Sequence, residues 1–342
     1  MSLKNLSVKI KIPELLQKKL NNKKVNKIYK KFERSLNINE NFGVAVSGGP
    51  DSLALVFLTK IYALKKGLKA FFFIVDHKLR SESTKEAIKV KRILKKIHIN
   101  SEILTWRGKK PSKNIQSIAR QKRYELLFKK CNKIGINYIF LGHHQDDLFE
   151  NFFLRILRGS GLKGLISLGK NTKINNVNIL RPLLDEKKKN LIFISNYIFN
   201  YYVKDPSNYD EKFQRIKIRN LLDQLENSGL DKKKFAKTIK NLKYSDDVIE
   251  HYVRKNLLKN SFFSKKYGQI ILNYEFFNQP HEVIFRSFSD SIKNVGKNYY
   301  RPRGKKIERI IYEINKGTFS KATLGGCIIE KVSQTVIISK EG

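Results

Sequence analysis

Apolar positions recur along this chain first at helical spacing and then as short continuous runs, and the alternation of the two predicts its elements. Positions 14–36 place apolar residues every three to four positions among lysines and read as one basic amphipathic helix. From position 42 onward short apolar runs alternate with helical stretches. The pattern predicts strands over 42–46, 70–75, 101–106 and 138–141, with helices over 53–66, 83–97 and 114–134 between them. The run 70–75 is apolar throughout, as expected of a strand buried on both faces. Ser81, Ser83 and Thr84, with Glu82 and Glu86 nearby, read as the cap of the 83–97 helix, and Gly135 ends the helix that follows. A βαβαβαβ series of this kind predicts an α/β fold with a doubly wound parallel sheet.

Beyond it lie an apolar segment at 177–180, a Lys-rich helix over 187–203, a turn at Lys204-Asp205-Pro206-Ser207-Asn208 and a helix over 215–225. Asn227-Ser228-Gly229 breaks the pattern, so a boundary is expected at 215–230, dividing the chain into domains 1–220 and 221–342. The second reads as smaller and mainly helical. It has a long charged helix over 231–259, a strand over 268–273, helices near 280–294 and 304–316, and β segments at 327–330 and 335–339.

Composition narrows the possible partners. The chain has 342 residues, enough for two cores, and 41% of them are hydrophobic. Lys and Arg number 70 against 30 Asp and Glu, a formal charge of +40, which favours a polyanionic partner such as nucleic acid. Cys131 and Cys327 form no C-x-x-C pair, which argues against a structural zinc site or a cysteine-held cluster and for the cytoplasm. No run approaches the roughly 18 apolar residues that span a bilayer, so no membrane partner is expected.

The candidate chemistry clusters at the predicted strand exits, where ligands of such sheets bind. Ser47-Gly48-Gly49-Pro50-Asp51-Ser52 presents backbone N–H groups at a helix start, with Asp51 or Ser52 able to cap it. A Walker A loop would need Lys-Ser/Thr directly after its last glycine, so a P-loop kinase or GTPase is disfavoured. Asp51 is placed to hold Mg²⁺ beside phosphate oxygens. Asp76 and His77 end the second strand. In His143-His144-Gln145-Asp146-Asp147-Leu148-Phe149-Glu150, the carboxylates of Asp147 and Glu150 would share a helix face, suited to a cation or a metal. The adjacent histidines lack the spacing of a helical zinc site. Arg120 and Arg123, three apart on a helix, suit phosphate contact.

The glycine loop resembles that of ATP pyrophosphatases, and five stretches together resemble bacterial tRNA(Ile)-lysidine synthetases. They are residues 47–52; Asp76-His77 with Leu79-Arg80; Ile115-Gln116 through Tyr124; His143 to Glu150 running on to Arg158-Gly159-Ser160-Gly161; and Arg181-Pro182-Leu183-Leu184 with Asp205-Pro206-Ser207-Asn208. The resemblance covers roughly 40–222, and Thr323-Leu324-Gly325-Gly326-Cys327 looks like the end of the family's first C-terminal domain. It implies that ATP adenylates the wobble cytidine of a tRNA(Ile) with a CAU anticodon and that free L-lysine then displaces AMP. It further implies that Ser47, Gly48, Gly49, Pro50, Asp51, Ser52 and Asp76 serve ATP. Asp147 and Glu150 would hold lysine and help deprotonate it, while Arg120, Arg123, Arg215 and Arg219 would meet phosphate charge on the adenylate or the tRNA. A homodimer is possible on the same grounds. The chain departs from the family at Leu148 and Asn151, where Gln and Thr are usual, and at Ile216 and Lys217. It ends where longer members continue into a second C-terminal domain, which would leave acceptor-stem recognition to the small domain. A thiolase with the same loop would rely on cysteines absent from these motifs, and a catalytically inactive RNA-binding relative would not need Asp51, Asp147 and Glu150.

Overall fold

A computed structural model describes residues 12–108, 115–174, 176–203, 214–297, 302 and 304–341. The expected turn at 204–208 and the first residue of the expected 114–134 helix fall outside the described residues. The chain forms two compact units, Met1–Asp231 and Lys232–Gly342.

The first unit is built on a six-stranded sheet in the order β3-β2-β1-β4-β6-β5, from β1 (Phe42–Val46), β2 (Ala70–Asp76), β3 (Ser101–Thr105), β4 (Tyr138–Phe140), β5 (Asn171–Ile174) and β6 (Val177–Leu180). All neighbours are parallel except β5, which pairs antiparallel with β6 at the edge. Period-2 alternation divides the strands between two cores. Phe42, Val44, Val46, Phe72 and Ile74 face one side with Leu53, Leu55 and Leu191. Phe73, Ile139 and Ile179 face the other with Leu127 and Cys131. Helices therefore cover both faces, as the doubly wound pattern requires.

Two helices precede the sheet in place of the one expected. α1 (Glu14–Leu20) and α2 (Lys23–Arg34) are separated because Asn22 caps the second, its side chain accepting N–H bonds from Lys24 at 3.0 Å and Val25 at 3.2 Å. α3 (Pro50–Lys66) begins three residues earlier than its apolar run indicates. Gly49 is its N-cap and Pro50 its first residue, so Asp51 and Ser52 lie inside the first turn and cap nothing. α4 (Ser83–Lys96) likewise has no side-chain cap at its N-cap residue, Glu82. α5 (Ile115–Lys133) ends before Gly135, whose φ is +68°. α6 (Gln145–Ile156), the short α7 (Leu162–Leu165), α8 (Lys188–Phe199) and α9 (Gln214–Asn227) complete the unit. α8 stops short of 203 because Asn200 turns left-handed, with φ +49°. β5 has no counterpart in the sequence reading, because Asn171-Thr172-Lys173-Ile174 alternates exposed and half-buried positions and shows no apolar run.

In the second unit α10 (Lys232–Asn260), α11 (His281–Val295) and α12 (Gly304–Asn315) accompany a five-stranded antiparallel sheet, in the order β7-β8-β11-β10-β9. Its strands are β7 (Ser261–Ser264), β8 (Gln269–Leu272), β9 (Lys321–Leu324), β10 (Cys327–Val332) and β11 (Thr335–Lys340). The expected β element is thus larger than the sequence suggests, with β7 and β9 unanticipated. Gly325 and Gly326, at φ +63° and +68°, make the tight turn between β9 and β10 that positive φ at both central residues allows. Leu272, Phe276, Phe288, Ile292, Ile311, Ile329 and Ile338 fill this core. Arg286, 1% exposed, lies within it. Its Nη1 pairs with Asp246 at 2.5 Å and Glu250 at 3.1 Å and its Nε with Glu282 at 2.7 Å, while Nη2 is buried without a hydrogen-bond partner.

Candidate nucleotide and amine site

Strand order reverses between β1 and β4, and in an open parallel sheet the crevice at that switch point is where ligands bind. The glycine loop leaves β1 there and His143 to Glu150 leave β4. A Cβ on Gly142 would lie 3.1 Å from both the carbonyl carbon of Asp51 and the nitrogen of Ser52, so the absence of a side chain lets the two exits meet. Gly48, at φ +82°, lets the loop pack closely elsewhere, since a Cβ there would come within 2.6 Å of Val90 of α4 and 2.8 Å of Val203. The Ser52 hydroxyl closes the loop by donating to Gly49 O at 3.0 Å and accepting from the Ser47 hydroxyl at 3.1 Å and the Ser47 N–H at 3.2 Å.

Asp51 therefore stands at the positive end of α3. Burial pushes its carboxyl above the usual range, Asp147 and Asp146 add to that, and His144 and Lys188 oppose it. Its Oδ1 is buried without a hydrogen-bond partner, an orphaned oxygen that suits a cation. Among the described residues no group of three or more His, Cys, Asp or Glu side chains is placed to hold a metal ion, so a cation at Asp51 would need further oxygens from a ligand.

α6 opens with a capping box, Asp147 Oδ2 accepting the His144 N–H at 2.9 Å and His144 Nδ1 accepting the Asp146 N–H at 3.2 Å. Asp147 and Glu150 share the opening of this helix, yet their environments differ. Burial raises Asp147, but His144, His143, the His144 N–H and Arg215 together hold it below the usual range. Burial raises Glu150 and dominates there, with Arg219 as the main opposing influence. The Glu150 side chain, which the sequence offers as a free carboxylate, is 2% exposed and ion-paired with Arg219 of α9.

An arginine group borders the pair. Burial lowers Arg123, and Arg120 and Arg215 lower it further, so α5 and α9 bring three of the expected cations within electrostatic reach of one another. Arg120 donates to the Tyr124 hydroxyl at 3.1 Å. Burial with Arg181, Arg120 and Arg123 drives His143 down to about 3, and burial with Arg123 drives His77 to about 4, so both imidazoles are neutral at pH 7. Asp76, expected to serve ATP, ends β2 with its carboxylate engaged within the protein. Its carboxylate is taken by the Lys78 N–H at 3.0 Å, the Ser83 hydroxyl at 2.9 Å and the Thr84 hydroxyl at 2.7 Å. The residues expected to cap α4 thus pin the β2–α4 loop. Two contributors were missed in the sequence: His144, whose cap role is invisible without the helix start, and buried Arg181, whose Nη1 holds Gly169 O and Thr172. Of the departures from the family pattern, Ile216 is buried and Asn151 donates to Ser167 at 3.2 Å.

The matching family is described as a PP-loop domain and covers residues 17–225. A tRNA(Ile)-lysidine synthase of Wolbachia sp. subsp. Brugia malayi (strain TRS) is 33% identical over 309 residues, 89% of this chain and 71% of the relative. The chain belongs to the tRNA(Ile)-lysidine synthase family. Its members are ATP-dependent ligases of the PP-loop family. The synthases of Orientia tsutsugamushi (strain Boryong), 34% identical over 89% of this chain and 70% of the relative, and of Rickettsia felis (strain ATCC VR-1525 / URRWXCal2), 30% identical over 92% and 74%, agree. Among solved structures, the U34-tRNA thiolase NcsA of Methanococcus maripaludis with its [4Fe-4S] cluster aligns with a TM-score of 0.56 at 19% identity, over 64% of this chain and 79% of that one, a likeness of fold. Both cysteines here are buried in apolar cores, Cys131 in the first unit and Cys327 in the second.

Proposed function

We propose that this chain uses ATP to join free L-lysine to C2 of the wobble cytidine of a tRNA(Ile) with a CAU anticodon. The C2 oxygen attacks the α-phosphorus and pyrophosphate leaves. The ε-amine then attacks C2, AMP departs with that oxygen, and the nitrogen loses a proton. The product lysidine pairs with A in place of G, which moves decoding from AUG to AUA and charging from methionine to isoleucine. The observation that carries this reading is the meeting, across Gly142, of a phosphate loop with a helix start that bears Asp147.

In this reading residues 47–52 hold the phosphates through N–H groups and the Ser47 and Ser52 hydroxyls, and Asp51 would be the residue to hold Mg²⁺. The ion would offset phosphate charge as pyrophosphate forms. Asp147, kept ionised, anchors a lysine ammonium, whereas Glu150, pushed upward, is the better proton acceptor once Arg219 is given up. Arg120, Arg123, Arg215 and Arg219 offset phosphate charge of the adenylate or the tRNA. The wobble base reaches the site unstacked, as an anticodon loop permits. Among the described residues no helix is long and apolar enough to cross a membrane, and we place the enzyme in the cytoplasm with its tRNA. A homodimer is the proposed assembly, and light scattering tests it.

The deciding assay incubates the purified chain with ATP, Mg²⁺, labelled lysine and unmodified tRNA(Ile) and tRNA(Met) transcripts bearing CAU. Label on the isoleucine transcript alone is expected. Pyrophosphate release without lysine incorporation would overturn the choice of nucleophile, and absence of ATP–pyrophosphate exchange would leave an RNA-binding relative.

A further inference from the structure

His144, the cap of α6, also lies between the phosphate loop and the acidic helix start. It is 4% exposed. Because Nδ1 accepts the Asp146 N–H at 3.2 Å, the hydrogen-bond network assigns the ring proton to Nε2. Nε2 lies 3.6 Å from Asp51 Oδ2 and 3.6 Å from Asp147 Oδ2. A single N–H is thus equidistant from a carboxylate in the first turn of α3 and one in the first turn of α6. Asp146 Oδ2, 3.9 Å from Nδ1, is the other charged group facing the ring. Both Nε2 distances exceed a hydrogen bond by about half an ångström, so a small shift of either carboxylate engages the donor.

We propose that His144 is a positioning residue that ties the nucleotide half of the site to the amine half, its Nε2–H setting the separation of Asp51 and Asp147. The inference rests on the function proposed above and adds to it. A cation beside Asp51 and an ammonium beside Asp147 each pull a carboxylate, and the shared donor passes the position of one to the other. Adenylation and amine attack happen at the same base, so a misplacement of either carboxylate costs rate without any loss of substrate contacts.

Two substitutions separate this from simple helix capping. Asn places its amide oxygen near Nδ1 and caps well, but it leaves nothing at Nε2. Gln places an amide nitrogen near Nε2 and caps poorly. His144→Asn and His144→Gln in the full chain are to be compared for melting temperature, ATP–pyrophosphate exchange with tRNA, and kcat and KM for labelled lysine. H144N should melt within about 2 °C of the parent yet lose roughly 10–100-fold in kcat/KM for lysine. H144Q should melt lower but stay within roughly tenfold of the parent and above H144N. Parental lysine kinetics in H144N would overturn the proposal whatever H144Q does, as would equal loss in the two variants. Should the parent chain incorporate no lysine, the functional reading fails and the exchange reaction decides. Gln above Asn there still supports the link, and Gln equal to or below Asn overturns it.

Discussion

Arg219 Nε lies 2.5 Å from Glu150 Oε1, joining α9 to α6 across 69 residues of sequence. The contact sets the state of the carboxylate, because Glu150 is buried and the guanidinium is its main stabiliser, itself raised by the same contact. Arg219→Met should destabilise the chain by about 1–3 kcal/mol at pH 7, the cost of an unpaired buried charge discounted for the partial exposure of Arg219. The sign with pH follows from the direction. Without Arg219 the folded-state pKa of Glu150 rises further, so the destabilisation is full above that value and fades as pH falls through it. Denaturant titrations at pH 7 and pH 5 check this, and adding Glu150→Gln should recover much of the loss.

Asp147 is the carboxylate the geometry leaves to a cation, since its Oδ2 takes the His144 N–H and the helix start keeps it ionised. Asp147→Asn preserves a capping oxygen but removes the charge. It should lower kcat/KM for lysine by roughly 100-fold while tRNA affinity stays within about twofold. Steady-state kinetics with filter binding of the transcript reads both, and unchanged lysine kinetics would remove Asp147 from the amine site.

His143 supplies an acid limit to stability. Its folded-state pKa of about 3 is below the unfolded value of 6.5, so the neutral ring contributes stability in full above pH 6.5 and loses it as pH falls from there toward 3. Between pH 7 and pH 5 this amounts to at most about 2 kcal/mol. His143→Gln should flatten the pH dependence of the unfolding midpoint over that window, and an unaltered slope would assign the acid sensitivity to other groups.

The sheet was legible because its strands are short apolar runs separated by strong punctuation, and the loop because two glycines follow β1 directly. The edge strand β5 was not, since Asn171-Thr172-Lys173-Ile174 lacks the apolar face a central strand needs. Cap assignments failed where a hydroxyl found a better partner: Ser83 and Thr84 bond Asp76 and leave α4 uncapped. Within the site, residue types and local spacings could be read, but pairings between distant segments could not. Nothing near Glu150 in sequence announces Arg219, and nothing near His144 announces Asp51. Gly142 looked like an ordinary strand exit, although its missing side chain is what brings the two halves together.

Gly142→Ala isolates that last relationship. The added methyl would meet the backbone of Asp51 and Ser52 at 3.1 Å, closer than nine in ten real Cβ contacts, and backbone in the first turn of a buried helix cannot swing aside as a side chain tip would. The loop must shift, carrying Asp51 away from the phosphates and opening the gap to Asp147. The expected result is a loss of about 1–2 kcal/mol in stability together with a rise of roughly tenfold or more in KM for ATP. Isothermal titration with a non-hydrolysable ATP analogue separates the two effects, since a purely global destabilisation leaves the affinity of the folded fraction unchanged. Gly67→Ala is the control: it strains a left-handed position, at φ +67°, where a Cβ meets nothing within 4 Å, and it lies at the far end of α3. It should cost stability of similar size with no change in ATP affinity, and equal losses of affinity in both variants would show that the close approach at Gly142 has no special part in shaping the nucleotide site.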